Sequence, residues 1–378
     1  MRAAAQRLTS NPAKGRRPAA ILRQVVGLQA QVLGAAALGM RVRSAGLRES
    51  DVNRALNDER SIVRSWLMRG TLHLVARDDI HWLAQLLGPV FARAGATRHA
   101  QLGLDDDLKA RGVAALRRSL AEAGPLTRYE LVDRLRGRGI TLDPKTQAPI
   151  HLIQLAALQG ILCLGPERHD GEPTYVLLDD WVPRVHTPAY ETALAELARR
   201  YFAAFGPATI DDLSAWSGIS MAGARSAVMG AKASLTEITI RGKPGFALKH
   251  RFKRVATSST HDVRLLPAFD AYLLGYRRRD LAVPPPLQHR LQRGGGWLHP
   301  AVVVNGRAVG AWSLRHAGGR GKIEVEFFGR PSGAVQSGIE AEVVDIGRFL
   351  EIHLLVNVTQ SDAAPHQMRL RTRKYRAC

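Results

Sequence analysis

Gln29 and Gln31, in the stretch "GLQAQ" at residues 27–31, are two carboxamides two positions apart in a segment otherwise made of apolar and basic residues. A carboxamide accepts one hydrogen bond while donating another, but it cannot take up a proton as a carboxylate can. The pair therefore suits orienting a water or a ligand, not general-base chemistry. Whether the two act together depends on the backbone. On a continuing helix, residues i and i+2 point about 200° apart. On an extended segment they share one side, and Gly27 offers a place for the preceding helix to end. The alternative is structural: one Gln in solvent, the other capping a helix, in keeping with the exposed habit of this residue type.

A second group lies some 40 residues on. Thr71 and His73, in "RGTLHLV", are spaced to face one side of a strand. His73 is then either a satisfied core histidine or a contact to backbone or ligand beside the Gln pair. Arg64 and Arg69 are placed to meet phosphates or to form a solvated wing. The remaining signatures are negative. HExxH, paired CxxC, P-loop and G-x-S-x-G patterns are absent, and the 13 His are scattered without ligand spacing. No metal and no cofactor is expected.

The 54 Lys plus Arg against 33 Asp plus Glu leave a formal charge of +21 over 378 residues. Such an excess points to a polyanion, nucleic acid before an anionic membrane surface. Cys163 and Cys378 are the only cysteines. They suggest no disulfide framework, which fits a reducing cytoplasm. No stretch reaches the roughly 18 apolar residues of a membrane span, and the N-terminal residues carry no apolar signal core. The expectation is a soluble cytoplasmic, nucleoid-associated protein.

The elements that must position these residues show a repeat. "AGPLTRYELVDRLRGRGI" and "FGPATIDDLSAWSGI" both run Gly-Pro, Thr, Leu, Ile, with their Gly-Pro pairs at 124–125 and 206–207. Thr127 and Thr209 are placed to cap a helix whose apolar face begins at the Leu. Each is followed by a second helix, "TQAPIHLIQLAALQG" or "SMAGARSAVMGAKA", and then by two strand-like runs. Helix, helix-turn-helix and a two-stranded wing make up the winged-helix plan. A looser third copy opens the chain, with helices over 18–28 and "ESDVNRALNDE" and a hairpin turning at Arg69-Gly70. Beyond residue 261, Asn305-Gly306 marks a hairpin, "SGIEAEVVDIGRFLEIHLL" reads as a late helix, and "MRLRTRKYRAC" as a solvated basic tail. The predicted class is α+β: winged helices over 1–100, 101–186 and 187–260, then a β-rich, barrel-like module over 261–378.

Three stretches, "RRPAAILRQVVGLQAQ", "WLMRGTLHLV" and "LLPAFDAYLLGYRRRD", resemble the AlkZ/YcaQ family of winged-helix DNA glycosylases over most of the chain. The resemblance implies three tandem winged helices joined to a β-barrel-like domain. It also implies excision of N-alkylated purines in base excision repair, with unhooking of interstrand crosslinks and, in some members, self-resistance to alkylating antibiotics. The family's Gln-apolar-Gln motif falls on Gln29, Ala30 and Gln31, which places the chain on the AlkZ side, and those two glutamines are the implied catalytic residues. Thr71 and His73 match its Thr-x-His element. Asp270 and Arg279 match a later Phe-Asp…Arg pattern and serve either DNA contact or an internal ion pair. Where many relatives follow the motif with a polar residue and Pro, this chain has Val32-Leu33.

The implied activity is that of a monofunctional glycosylase without lyase chemistry, a monomer acting on double-stranded DNA that contains N7-alkylguanine or N3-alkyladenine. An N7-alkylated purine already carries positive charge and leaves as a neutral base, so what remains is to aim a water at an oxocarbenium-like sugar. The alternative is a noncatalytic winged-helix regulator. It would present an exposed recognition helix in each module, whereas "APIHLIQLAALQG" and "AGARSAVMGA" are mostly apolar.

Overall fold

The computed structural model describes residues 1–9, 17–168, 171–249, 262–292, 294 and 296–360. The helix Pro18–Val25 carries its proline in the first turn, where no backbone donor is lost. It stops three residues short of the predicted 28, at Val26 with φ 62° and Gly27 with φ 134°. A Cβ on Gly27 would stand 2.9 Å from Val75 Cγ1 and 3.0 Å from the Leu74 carbonyl oxygen, so both conformation and space require glycine. The chain leaves this turn extended, as β1 (Leu28–Gln29). Helices Leu33–Arg41 and Glu49–Asn57 follow. Next comes the hairpin of β2 (Ile62–Trp66) and β3 (Leu72–Ala76), which turns at Arg69 and Gly70 with φ 57° and 66°.

Helix, short strand, two helices and hairpin then recur. The second module has helix Asp106–Ala123, β4 (Leu126–Thr127), helices Arg128–Gly137 and Ala148–Leu158, and the wing of β5 (Leu162–Glu167) and β6 (Pro173–Leu177). The third has helices Tyr190–Phe205, Ile210–Ser217 and Met221–Ala231 and the wing of β7 (Leu235–Ile240) and β8 (Lys243–Leu248). Its short strand is reduced to one bridge, Ala208 to Phe246. Thr127 and Thr209 cap as their spacing predicts, each closing a box with the acid three residues on, Glu130 and Asp212. The corresponding junction of the first module has no such cap, because Val32 offers no side-chain acceptor to helix Leu33–Arg41. The Gln motif directly precedes this uncapped junction.

The wings of the first two modules merge into one six-stranded sheet, ordered β1-β3-β2-β5-β6-β4, which leaves β1 on its edge. The C-terminal region adds β9 (Val263–Leu266), β10 (Ala301–Val304), β11 (Arg307–Ala317), β12 (Arg320–Phe327) and β13 (His353–Gln360). Asn305 and Gly306, at φ 50° and 79°, turn the hairpin between β10 and β11. The expected barrel does not close. The sheet runs β13-β12-β11-β10-β9, and its outer strands β9 and β13 do not pair with each other. The late helix also differs from expectation. It covers Gly333–Leu350 and ends at Glu351 with φ 56°, and His353–Gln360 becomes β13, parallel to β12. The basic tail lies outside the described residues.

One apolar cluster draws residues from Ile21 to Phe349, so the first and third modules share a core with the C-terminal sheet, while the second module has its own. Two buried arginines fasten the first module to the C-terminal region. Arg41 bonds Glu342 and Asp345 at 2.8 Å each, and Arg43 makes two 2.8 Å bonds to Asp270. No helix of the described residues is long and apolar enough to cross a membrane.

Candidate active site

Gln29 sits opposite His73 in the antiparallel pairing of β1 with β3, and His73 in turn opposes Ser65 of β2. The ladder continues one residue past β1, since the Ala30 amide donates to the Leu72 carbonyl at 2.7 Å. This register sets Gln31 opposite Thr71. Within the paired strands Gln29 and His73 share one face and Leu28 and Leu74 the other, with Gln31 and Thr71 at the bends just beyond the strand ends. The helix therefore does not continue through the motif: the backbone is extended at Gln29 and bends at Gln31. Gln29 is half-buried, Gln31 exposed and Ala30 fully buried between them.

Arg69 holds the first amide. Its Nη2 donates to Gln29 Oε1 at 2.6 Å, and its Nη1 donates to the Trp216 carbonyl of the third module, also at 2.6 Å. Burial, aided by repulsion from Arg279, lowers the Arg69 pKa to about 10, which still leaves it charged at neutral pH. Arg64 holds the backbone between the two amides, its Nε donating to the Ala30 carbonyl at 3.1 Å and its Nη1 to Glu167 at 3.3 Å. Both arginines expected at phosphates are turned inward onto the motif, because the positive φ at Arg69 and the central place of Arg64 in the sheet direct them there.

His73 is buried, with Nδ1 2.9 Å from the Thr71 carbonyl oxygen. A carbonyl only accepts, so Nδ1 carries the proton and Nε2 keeps its lone pair. Burial and then the charge of Arg69 lower the His73 pKa to about 3, making it a neutral imidazole at any physiological pH. Thr71 Oγ1 donates back to the Met68 carbonyl at 3.0 Å, tightening the β2–β3 turn.

Asp270 and Arg279 are not brought together. Asp270 is buried against Arg43 and caps the short helix Ala271–Leu274 through the Tyr272 amide, so the internal ion pair exists with a different arginine. Arg279 instead donates to the Leu273 carbonyl and to Gln292 Oε1, both at 2.8 Å, and burial lowers its pKa. Arg43 carried no motif in the sequence, and only the packed structure pairs it. Among the described residues no group of three or more His, Cys, Asp or Glu is placed to hold a metal ion.

A carboxamide pair at the edge of a sheet, one of its members bonded by a part-buried arginine, thus lies in the first of three winged helices of a strongly basic chain. The family model for AlkZ-like DNA glycosylases matches residues 22–349. The chain belongs to that family and is a DNA glycosylase of the α+β, triple winged-helix kind. It is 30% identical over 315 residues to the interstrand DNA cross-link repair glycosylase of Streptomyces sahachiroi, covering 78% of this chain and 81% of that protein. The solved structure of Streptomyces sahachiroi DNA glycosylase AlkZ superposes with a TM-score of 0.80 at 25% identity, over 95% of this chain and 97% of that one.

Proposed function

We propose that this protein is a monofunctional glycosylase that removes cationic N-alkylated purines from double-stranded DNA as a monomer, bulky adducts and crosslinks included, with Gln29 and Gln31 as its catalytic pair. The observation that carries the reading is the bond from Arg69 to Gln29 Oε1 at 2.6 Å. It fixes the Gln29 carboxamide with a charged donor, keeping its NH2 free to donate in turn, and Gln31 beside it is exposed. Gln31 then accepts a hydrogen bond from the attacking water, and Gln29 donates to that water or to the sugar-phosphate backbone.

In the reaction the C1′–N9 bond breaks and its electron pair passes into the alkylated imidazole ring, cancelling the positive charge. The water oxygen bonds to C1′, and its proton goes to solvent. No group in the site needs to titrate. A neutral amide cannot activate water against a poor leaving group, so uracil and unmodified guanine are left in place. Thr71 and His73 sit beside the pair as neutral hydrogen-bonding groups for the lesion or its backbone, with Arg64, Arg69 and Arg279 as positioning residues behind them, while Asp270 serves the fold through its ion pair with Arg43. The surplus of positive charge in the chain supplies duplex affinity.

Incubating the protein with duplex that carries 7-methylguanine or a nitrogen-mustard crosslink, followed by alkaline cleavage, tests the reading. Strand breaks at the lesion are expected. Binding without breaks at any alkylpurine would leave a noncatalytic DNA-binding protein.

A further inference from the structure

The turn between β2 and β3, Met68–Gly70, carries Arg69 to Gln29, and all three winged helices meet on it. From the second module, Gln154 Nε2 donates to the Gly70 carbonyl at 3.0 Å. From the third, the Trp216 carbonyl accepts from Arg69. Trp216 lies in the last turn of helix Ile210–Ser217, where carbonyls lack partners within the helix and a cation is favoured. Gly218 ends that helix at φ 84°. Phe91, on helix Ile80–Ala94, fills the space between Gly218 and the turn. A Cβ on Gly70 would stand 3.4 Å from the Phe91 ring, and one on Gly218 2.6 Å from the ring and 3.3 Å from Arg69 Cα.

The turn needs this hold. Arg69 sits at φ 57°, a left-handed conformation that is disfavoured for a residue with a Cβ and persists where its surroundings over-determine it. Gln154 is a polar side chain on helix Ala148–Leu158, eight of whose eleven residues are buried in apolar packing. A leucine would serve that packing as well. The amide adds a donor for the Gly70 carbonyl, one residue from the arginine that bonds Gln29.

Resting on the glycosylase reading, we infer that Gln154 is a positioning residue for excision: it holds the Arg69 turn from the second module, and through Arg69 it sets the orientation of the Gln29 amide. It acts on the turn and not on the reacting atoms. Gly218 serves the same end from the third module, by leaving room for Phe91 against the turn.

The test is Gln154→Leu, which keeps the bulk of the side chain and suits the helix while leaving the Gly70 carbonyl without that donor. Single-turnover release of 7-methylguanine is expected to slow by about 2- to 12-fold, the range of one lost neutral hydrogen bond, with affinity and salt slope for undamaged duplex unchanged. In an Arg69→Met background, where nothing is left to transmit the hold, the same substitution should cost nothing further. The alkaline limb near pH 10 should move upward, because a loosened turn lets water back to the Arg69 guanidinium. A merely structural bond would lower the melting temperature and move neither readout. An unslowed rate in Gln154→Leu, or equal slowing in both backgrounds, overturns the inference. Gly218→Ala is a second variant: its methyl meets the Phe91 ring, and it should slow excision only while Arg69 is present. The Gln29 side-chain amide signals in nuclear magnetic resonance spectra, identified by their loss in Gln29→Ala, read the same coupling without any reaction. They should shift in Gln154→Leu. Signals that stay in place refute the positioning role even if the wild type excises nothing, whereas a wild type without excision whose signals do shift sinks the glycosylase reading alone.

Discussion

Replacing Arg69 with Met removes the charged donor from Gln29 while keeping a long side chain in the same space. A hydrogen bond to a charged group contributes about 1.5–3 kcal/mol. If that bond serves to hold the Gln29 amide in its working orientation, its loss raises the barrier by about the same amount, a decrease of about 10- to 150-fold in excision rate. The bond to the Trp216 carbonyl at 2.6 Å disappears too, so part of the cost appears as lower stability, which a melting curve reads separately. Release of 7-methylguanine from duplex under single-turnover conditions gives the rate. Because Arg69 acts through Gln29, the double variant Arg69→Met, Gln29→Ala should be no slower than Gln29→Ala alone. Additive losses would refute the positioning role. So would a full rate in Arg69→Met accompanied by a binding salt slope reduced by about 1, the mark of a lost phosphate contact.

Excision should show no ionisation between about pH 5 and 9, since no site group titrates there, and should fall above about pH 10 as Arg69 loses its proton; the alkaline limb should vanish in Arg69→Met. His73 stays neutral in the folded protein down to about pH 3, whereas the unfolded chain protonates it near 6.5. Stability should therefore decline as pH falls through that window by up to about 1.4 kcal/mol per unit, and His73→Gln should flatten the slope in denaturant titrations. Asp270→Asn strands the Arg43 charge in the interior and should destabilise by about 3–5 kcal/mol with the rate per folded molecule retained, as melting and active-site titration would show. Val32→Thr restores the missing cap and should stabilise by about 0.5–1 kcal/mol; an unchanged melting temperature would mean that solvent already satisfies those amides.

The local signals were readable where one residue type has one conformational use. Gly-Pro followed by Thr marked two capped helices and Asn305-Gly306 marked a hairpin, whereas Gly27 only offered a stop and the helix was read through to 28. The Gln pair was legible as a pair only on condition that the helix end before it, and the pairing of Gln29 with His73 shows that it does. The repeat carried more than it first disclosed. Thr127 and Val32 occupy matching cap positions at a strand-to-helix junction, and only the junction that follows the Gln motif lacks a side-chain cap.

Long-range partnerships were not legible. Arg69 has Gln29 forty residues away and Trp216 in another module, while Arg43 has Asp270 across 227 positions. No periodicity encodes such contacts. The first three residues of the strand His353–Gln360 were misread as helix because "HLL" continues the apolar spacing of the helix before it. The left-handed turn at Glu351 breaks the run with a residue that carries no turn signature. The open sheet follows from the same place, since β13 joins β12 in parallel and leaves β9 unclosed.

The most direct test of the central claim is the single-turnover excision of 7-methylguanine by Gln31→Ala beside an undamaged-duplex binding curve for the same protein. Because Gln31 is exposed, the variant should fold and bind as the wild type does while its excision falls by about 100-fold or more, the scale of losing one preorganised polar contact in the transition state. Wild-type excision by Gln31→Ala would contradict the account.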